Sequence, residues 1–81
     1  MREPLWPYIA AVLAEVAAES LVTQDELEQR SGINQGTISQ LLRGRRKLSI
    51  EHADALSEAL GIPFAAVIAD AVEARAKHSP L

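Results

Sequence analysis

Apolar residues return along this chain at intervals of three and four, and no stretch alternates apolar with polar in the manner of a strand. Leu5, Ile9, Val12, Leu13 and Val16 share one face of a helix expected over residues 5–19. Pro4 and Pro7 fall at its first turn, where a missing amide is tolerated. Thr23-Gln-Asp-Glu26 has the spacing of a capping box, in which the hydroxyl accepts from the amide three residues on and the carboxylate reaches back. It opens a second helix over 24–31, stopped by Gly32. Asn34, a favoured N-cap residue, opens a third over 35–43 that turns Ile38 and Leu41 inward and ends at Gly44. After Ser49 a fourth, over 50–60, aligns Ile50, Ala53, Leu56 and Leu60 toward the core and stops at Gly61. Pro63 starts a fifth over 63–76, and residues 77–81 read as a frayed, flexible tail. The expected fold is all-α, a compact five-helix bundle with one domain over residues 1–76.

Only Gly32, Ile33 and Asn34 separate the second helix from the third. A three-residue turn led by glycine makes two short helices cross steeply, which is the mark of a helix-turn-helix. A chain of 81 residues has a marginal core, and dimerisation would help to stabilise it. Without cysteine, disulfides and thiolate metal sites are excluded, and His52 and His78 stand alone, so neither metal nor cofactor is expected. His52 reads as a surface residue near the start of the fourth helix. Residues 1–20 carry acids at 3, 15 and 19, with no basic start followed by an apolar core, unlike a signal peptide. The apolar runs are too short to span a bilayer. A soluble cytoplasmic protein of bacterial or phage type, associated with the nucleoid, is expected.

Charge changes the picture. A net charge of −3 argues against a general polyanion binder, yet charge distribution, not net charge, sets the field at a surface. Residues 29–50 hold Arg30, Arg43, Arg45, Arg46 and Lys47, five of the eight basic residues, and none of the eleven acidic ones. A charge run is usually a solvated face; a one-sign window this long, in a chain 23% charged, asks for more. With Ile38 and Leu41 buried, the third helix shows Gln35, Gly36, Ser39 and Gln40 outward. Glutamine can bond adenine through two atoms of its major-groove edge, and serine or threonine can bond several base edges. Gly36 leaves room for close approach, at a helix cost of about 1 kcal/mol relative to alanine. Short polar helices also show Gln and Ser to water. The order of elements decides, because a polar stripe that could read bases is followed at once by cations that could grip phosphate.

These residues resemble a known family. Residues 21–68, through Gln24, Leu27, Gly32, Ile33, Thr37-Ile38-Ser39, Gly44 with its basic followers and Leu60-Gly61-Ile62, are similar to the phage-repressor/Cro-type helix-turn-helix family, also called the xenobiotic-response-element type. The resemblance implies a lambda-repressor-like bundle in which the second and third helices form the DNA-binding unit. It implies phosphate contacts from Gln24, Asn34, Arg43, Arg45, Arg46 and Lys47, and base-reading positions at Gln35, Gly36 and Gln40, flanked by Thr37 and Ser39. Thr37 serves equally well as a local cap. Glu28 departs from the pattern, standing where the family has a small residue at the helix crossing. Its carboxylate must reach the rim or pair, with Arg30 or an arginine after the third helix as partners. Leu42 replaces a common acid, either exposed or packed.

At the ends, Trp6 caps the core or meets another chain, and the first of these is preferred. Phe64, Val67 and Ala71 can fill the core from the fifth helix, while Ile68 and Val72 form a second apolar ridge of the kind that marks an interface. Phe64, Ile68, Val72 and Trp6 are therefore the residues expected at a dimer or partner contact. The function expected is a sequence-specific double-stranded DNA-binding regulator, a repressor acting as a homodimer on a palindrome. An antitoxin that also holds a toxin through Trp6, Tyr8 or the fifth helix is a variant of it. An interaction adaptor that lost DNA binding would have replaced Gln35, Gln40 and the arginines. No convergent titratable residues support an enzyme.

Overall fold

The computed structural model describes residues 3–78, and its helices start and stop where local chemistry dictates. They are α1 (Trp6–Ser20), α2 (Gln24–Ser31), α3 (Gln35–Leu42), α4 (Ile50–Ala59) and α5 (Phe64–His78), with no strand among the described residues. Pro7 sits in the first turn of α1. The capping box of α2 is formed: the Glu26 amide donates to Thr23 Oγ1 at 3.1 Å, and the Thr23 amide donates to Glu26 Oε1 at 3.3 Å. Asn34 Oδ1 caps α3, accepting from the amides of Gly36 at 2.8 Å and Thr37 at 3.3 Å. Ser49 Oγ caps α4 through the His52 amide at 3.1 Å.

Every helix contributes to one core. Leu13, Leu27, Ile38, Leu41, Leu56 and Val67 are fully buried, each at most 1% exposed. Burying a side chain of this size contributes roughly 1.5–3 kcal/mol. The longest packing runs between α1 and α5, while α1 also meets α3 and α4, and α2 meets α3 and α4. α3 and α5 do not touch each other. The N-terminal segment is tied to α5: Tyr8 Oη donates to Glu3 Oε2 at 2.6 Å and Arg75 donates to the Glu3 carbonyl at 3.2 Å. That bond to the Glu3 carboxylate holds the Tyr8 hydroxyl above its usual pKa.

Several expectations are revised. On α1 the buried positions are Ile9, Ala10, Leu13 and Ala17, with Val12 and Val16 only half-buried, because small side chains suit the closest helix approach. Ile50 is 61% exposed, not a core residue, because it is the first residue of α4 and Leu48, 5% exposed, takes the buried place before it. Leu48 and Ala53, both buried, stand at the positions of a hydrophobic staple around the Ser49 cap. Leu42 packs against the core, as do Trp6, Phe64 and Ile68, so Val72 is the exposed part of the expected ridge. α5 continues through Lys77 and His78, two residues that the sequence pattern places in a flexible tail. Lys77 pairs with Glu73 at 2.9 Å one turn back, and Arg75, Lys77 and His78 suit the negative end of the helix. The rest of that tail, 79–81, lies outside the described residues.

Candidate nucleic-acid interface

The turn between α2 and α3 is fastened before the site begins. Gly32 closes α2 at φ +76°, a left-handed backbone that glycine adopts at no steric cost, and its amide donates to the Glu28 carbonyl at 2.9 Å. Ser31 Oγ donates to the Leu27 carbonyl at 2.6 Å and accepts from the Ile33 amide at 3.1 Å. Ile33 then packs against the core. These contacts set the direction in which α3 leaves the turn.

Ile38 and Leu41 hold α3 down, both 0% exposed. Gln35, Gly36 and Gln40 are exposed, and Thr37 and Ser39 flank them half-buried. The N-cap is Asn34, with Thr37 contributing its amide and not its hydroxyl. Because Asn34 Oδ1 is committed to the cap, only its NH₂ group remains to donate outward. A Cβ on Gly36 would come 3.1 Å from Asn34 Oδ1, so the missing side chain keeps the cap uncrowded as well as leaving the outer surface open. Gln24, the first residue of α2, is half-buried.

At its far end α3 closes with a Schellman motif. The Arg45 amide donates to the Gln40 carbonyl at 3.0 Å and the Gly44 amide to the Leu41 carbonyl at 3.1 Å, with Gly44 at φ +72°. Arg43, Arg45, Arg46 and Lys47 follow, all exposed and none ion-paired among the described residues. Buried Leu48 anchors the segment on its other side. Four cations are thus displayed on a short segment fixed at both ends.

Two charged residues lie elsewhere than their sequence positions suggest. Arg30 donates to the Ala59 carbonyl at 3.2 Å and pairs with Glu26 at 3.4 Å, so it ties α2 to the end of α4 and takes no part in the basic face. Among the described residues Glu28 pairs with no arginine: its Oε1 accepts from the Gln35 amide at 3.1 Å, adding a carboxylate to the start of α3. Sequence reasoning missed Ser31 and Leu48 as fasteners. The staple spacing around Ser49 was a legible signal for Leu48.

The sequence matches the helix-turn-helix family over residues 13–67, a span that takes in all of α2, α3 and α4. The chain belongs to the helix-turn-helix family. Its type is that of the xenobiotic-response-element regulators, and the protein is a DNA-binding transcription regulator. No curated protein matches this helix-turn-helix chain. Among solved structures it is similar to the clp gene regulator ClgR from Corynebacterium glutamicum, at 31% identity and TM-score 0.83, covering 96% of this chain and 83% of that one. A second crystal structure of ClgR matches at 32% identity and TM-score 0.76, covering 90% and 94%. A mutant of the restriction-modification controller protein C.Esp1396I matches at 22% identity and TM-score 0.82, covering 98% of this chain and 100% of that one, which shows the shared fold. No single helix among the described residues is long and apolar enough to cross a membrane.

Proposed function

We infer that this regulator is a repressor that inserts α3 into the major groove and binds a palindromic operator as a homodimer. One observation carries the reading: the helix that exposes Gln35, Gly36 and Gln40 runs directly into four exposed cations with no ion-pair partner among the described residues. Gln35 and Gln40 are the base readers, Thr37 and Ser39 the flanking polar contacts, and Gly36 the point of close approach. Gln24 and Asn34 donate to the DNA backbone, and Arg43, Arg45, Arg46 and Lys47 hold phosphates beside the groove. One module makes few phosphate contacts, so tight binding at physiological salt calls for two. Val72 is 41% exposed on α5, which does not touch α3, so a two-fold contact through α5 leaves both reading helices free. Such a dimer reads half-sites about 34 Å apart. Occupancy of a promoter by it excludes other proteins, so repression is the expected sign.

The test is selection from a randomised duplex pool over a salt series. A palindrome should be enriched. Gln35→Ala should abolish the enrichment, whereas Arg45→Ala should weaken every sequence alike and reduce the salt slope by about 0.9. No binding to any duplex at low salt would reject DNA as the partner and turn attention to a protein ligand.

A further inference from the structure

The window from 29 to 50 holds no acid in sequence, but the fold returns one to it. Glu28 reaches across the turn, and its Oε1 lies 3.1 Å from the Gln35 amide, the first amide of α3. The next two amides, of Gly36 and Thr37, donate to Asn34 Oδ1, and that of Ile38 donates to the Asn34 carbonyl at 2.9 Å. Every amide at the start of α3 therefore has an acceptor inside the protein. A helix N-terminus is ordinarily a good seat for phosphate, through its free amides and its positive dipole end. Here a carboxylate already takes the first amide and opposes that positive end.

We propose that Glu28 is a specificity-determining residue, denying the first amide of the recognition helix to DNA phosphates so that base edges place α3 in the groove. The inference rests on the DNA-binding reading above. Phosphates repeat along any duplex, so a helix tip that bound one would settle in many registers without regard to sequence. Glu28 penalises those registers by occupying the amide and by placing negative charge beside the backbone. On the operator the penalty is smaller, because Gln35 and Gln40 engage bases.

Two variants separate occlusion from charge. Glu28→Ala frees the Gln35 amide and removes the charge; Glu28→Gln removes the charge and keeps an acceptor on the amide. Amide NMR with inorganic phosphate as the probe should show saturable shifts at Gln35 and Gly36 in Glu28→Ala, and none in the parent protein or Glu28→Gln. On random duplex, Glu28→Ala should bind roughly three- to tenfold tighter at low salt, the effect of one unit charge near a phosphate, while the operator gains less and the specificity ratio falls. Glu28→Gln, which preserves the cap, should tighten random-duplex binding about threefold from charge alone. A Gln35 amide in Glu28→Ala that ignores phosphate overturns the proposal, and so does unchanged random-duplex affinity in Glu28→Gln. Loss of preference at a single base pair would overturn it too, making Glu28 a base reader. A parent protein that binds no duplex sinks the DNA reading and the specificity role with it, whereas a duplex-binding parent with a phosphate-blind Glu28→Ala sinks the specificity role alone.

Discussion

Leu21 ends α1 in a left-handed backbone at φ 58°, with its side chain 86% exposed. Its amide donates to the Ala18 carbonyl at 3.4 Å, so the conformation serves to finish the helix. A residue with a Cβ adopts this conformation at a cost of about 1–2 kcal/mol, and the exposed leucine recovers little of it by burial. Leu21→Gly should therefore stabilise the protein by about 0.5–1 kcal/mol, the strain relieved less glycine's greater freedom in the unfolded chain. Urea denaturation would show it as a higher midpoint at unchanged slope. Glu28 illustrates the opposite case at this scale. The box of Thr23 and Glu26 was legible because both partners lie within one turn, whereas Glu28 finds the Gln35 amide seven positions away across a bend. Nothing in local spacing marks that bond.

At the scale of elements, α3 depends on its two ends. Asn34 fixes where it starts, and the Schellman turn at Gly44 fixes how the basic segment departs. A Cβ built on Gly44 meets nothing within 4 Å, so a substitution there is resisted by backbone conformation and not by crowding. Gly44→Ala should cost about 1 kcal/mol in urea denaturation. It should also weaken DNA binding across all sequences together, because Arg45, Arg46 and Lys47 lose their common direction. A cavity-type substitution would lower stability without that loss. α4 shows why periodicity alone misplaced a residue. Ile50 has the spacing of a core position, but it precedes the first packed turn, and the buried side chain at that end is Leu48 from the connecting segment.

For the whole molecule, the division of surfaces matters most. α3 does not touch α5, and α1 with α5 forms a groove of about 380 Å³ whose walls include Glu15, Glu19, Asp70 and Glu73, the last of them paired with Lys77. Glu15, Glu19 and Asp70 leave that groove net acidic, a surface that repels a polyanion. Among the described residues the core holds 13 buried apolar residues and no fully buried aromatic, which is small. Covering the exposed Val72 in a dimer would add to it, so thermal stability should rise with protein concentration. Val72→Asp should abolish that dependence and lower the sedimentation mass to that of one chain, and it should weaken operator binding far more than binding of a single half-site. Sedimentation equilibrium and melting at two concentrations would check it.

The sequence by itself determined the five helices, the three-residue turn, the caps at Thr23 and Asn34 and the polar face of α3, because each depends on side chains within one or two turns of one another. It also separated charge along the chain. Only the tertiary structure decided which charges share a surface. It drew Arg30 away to the Ala59 carbonyl, brought Glu28 onto the start of α3, and placed Leu48 in the core where Ile50 was expected. The physical reason is common to all three: burial and hydrogen-bond partners are settled by which helices meet, and that meeting lies beyond the reach of any local period.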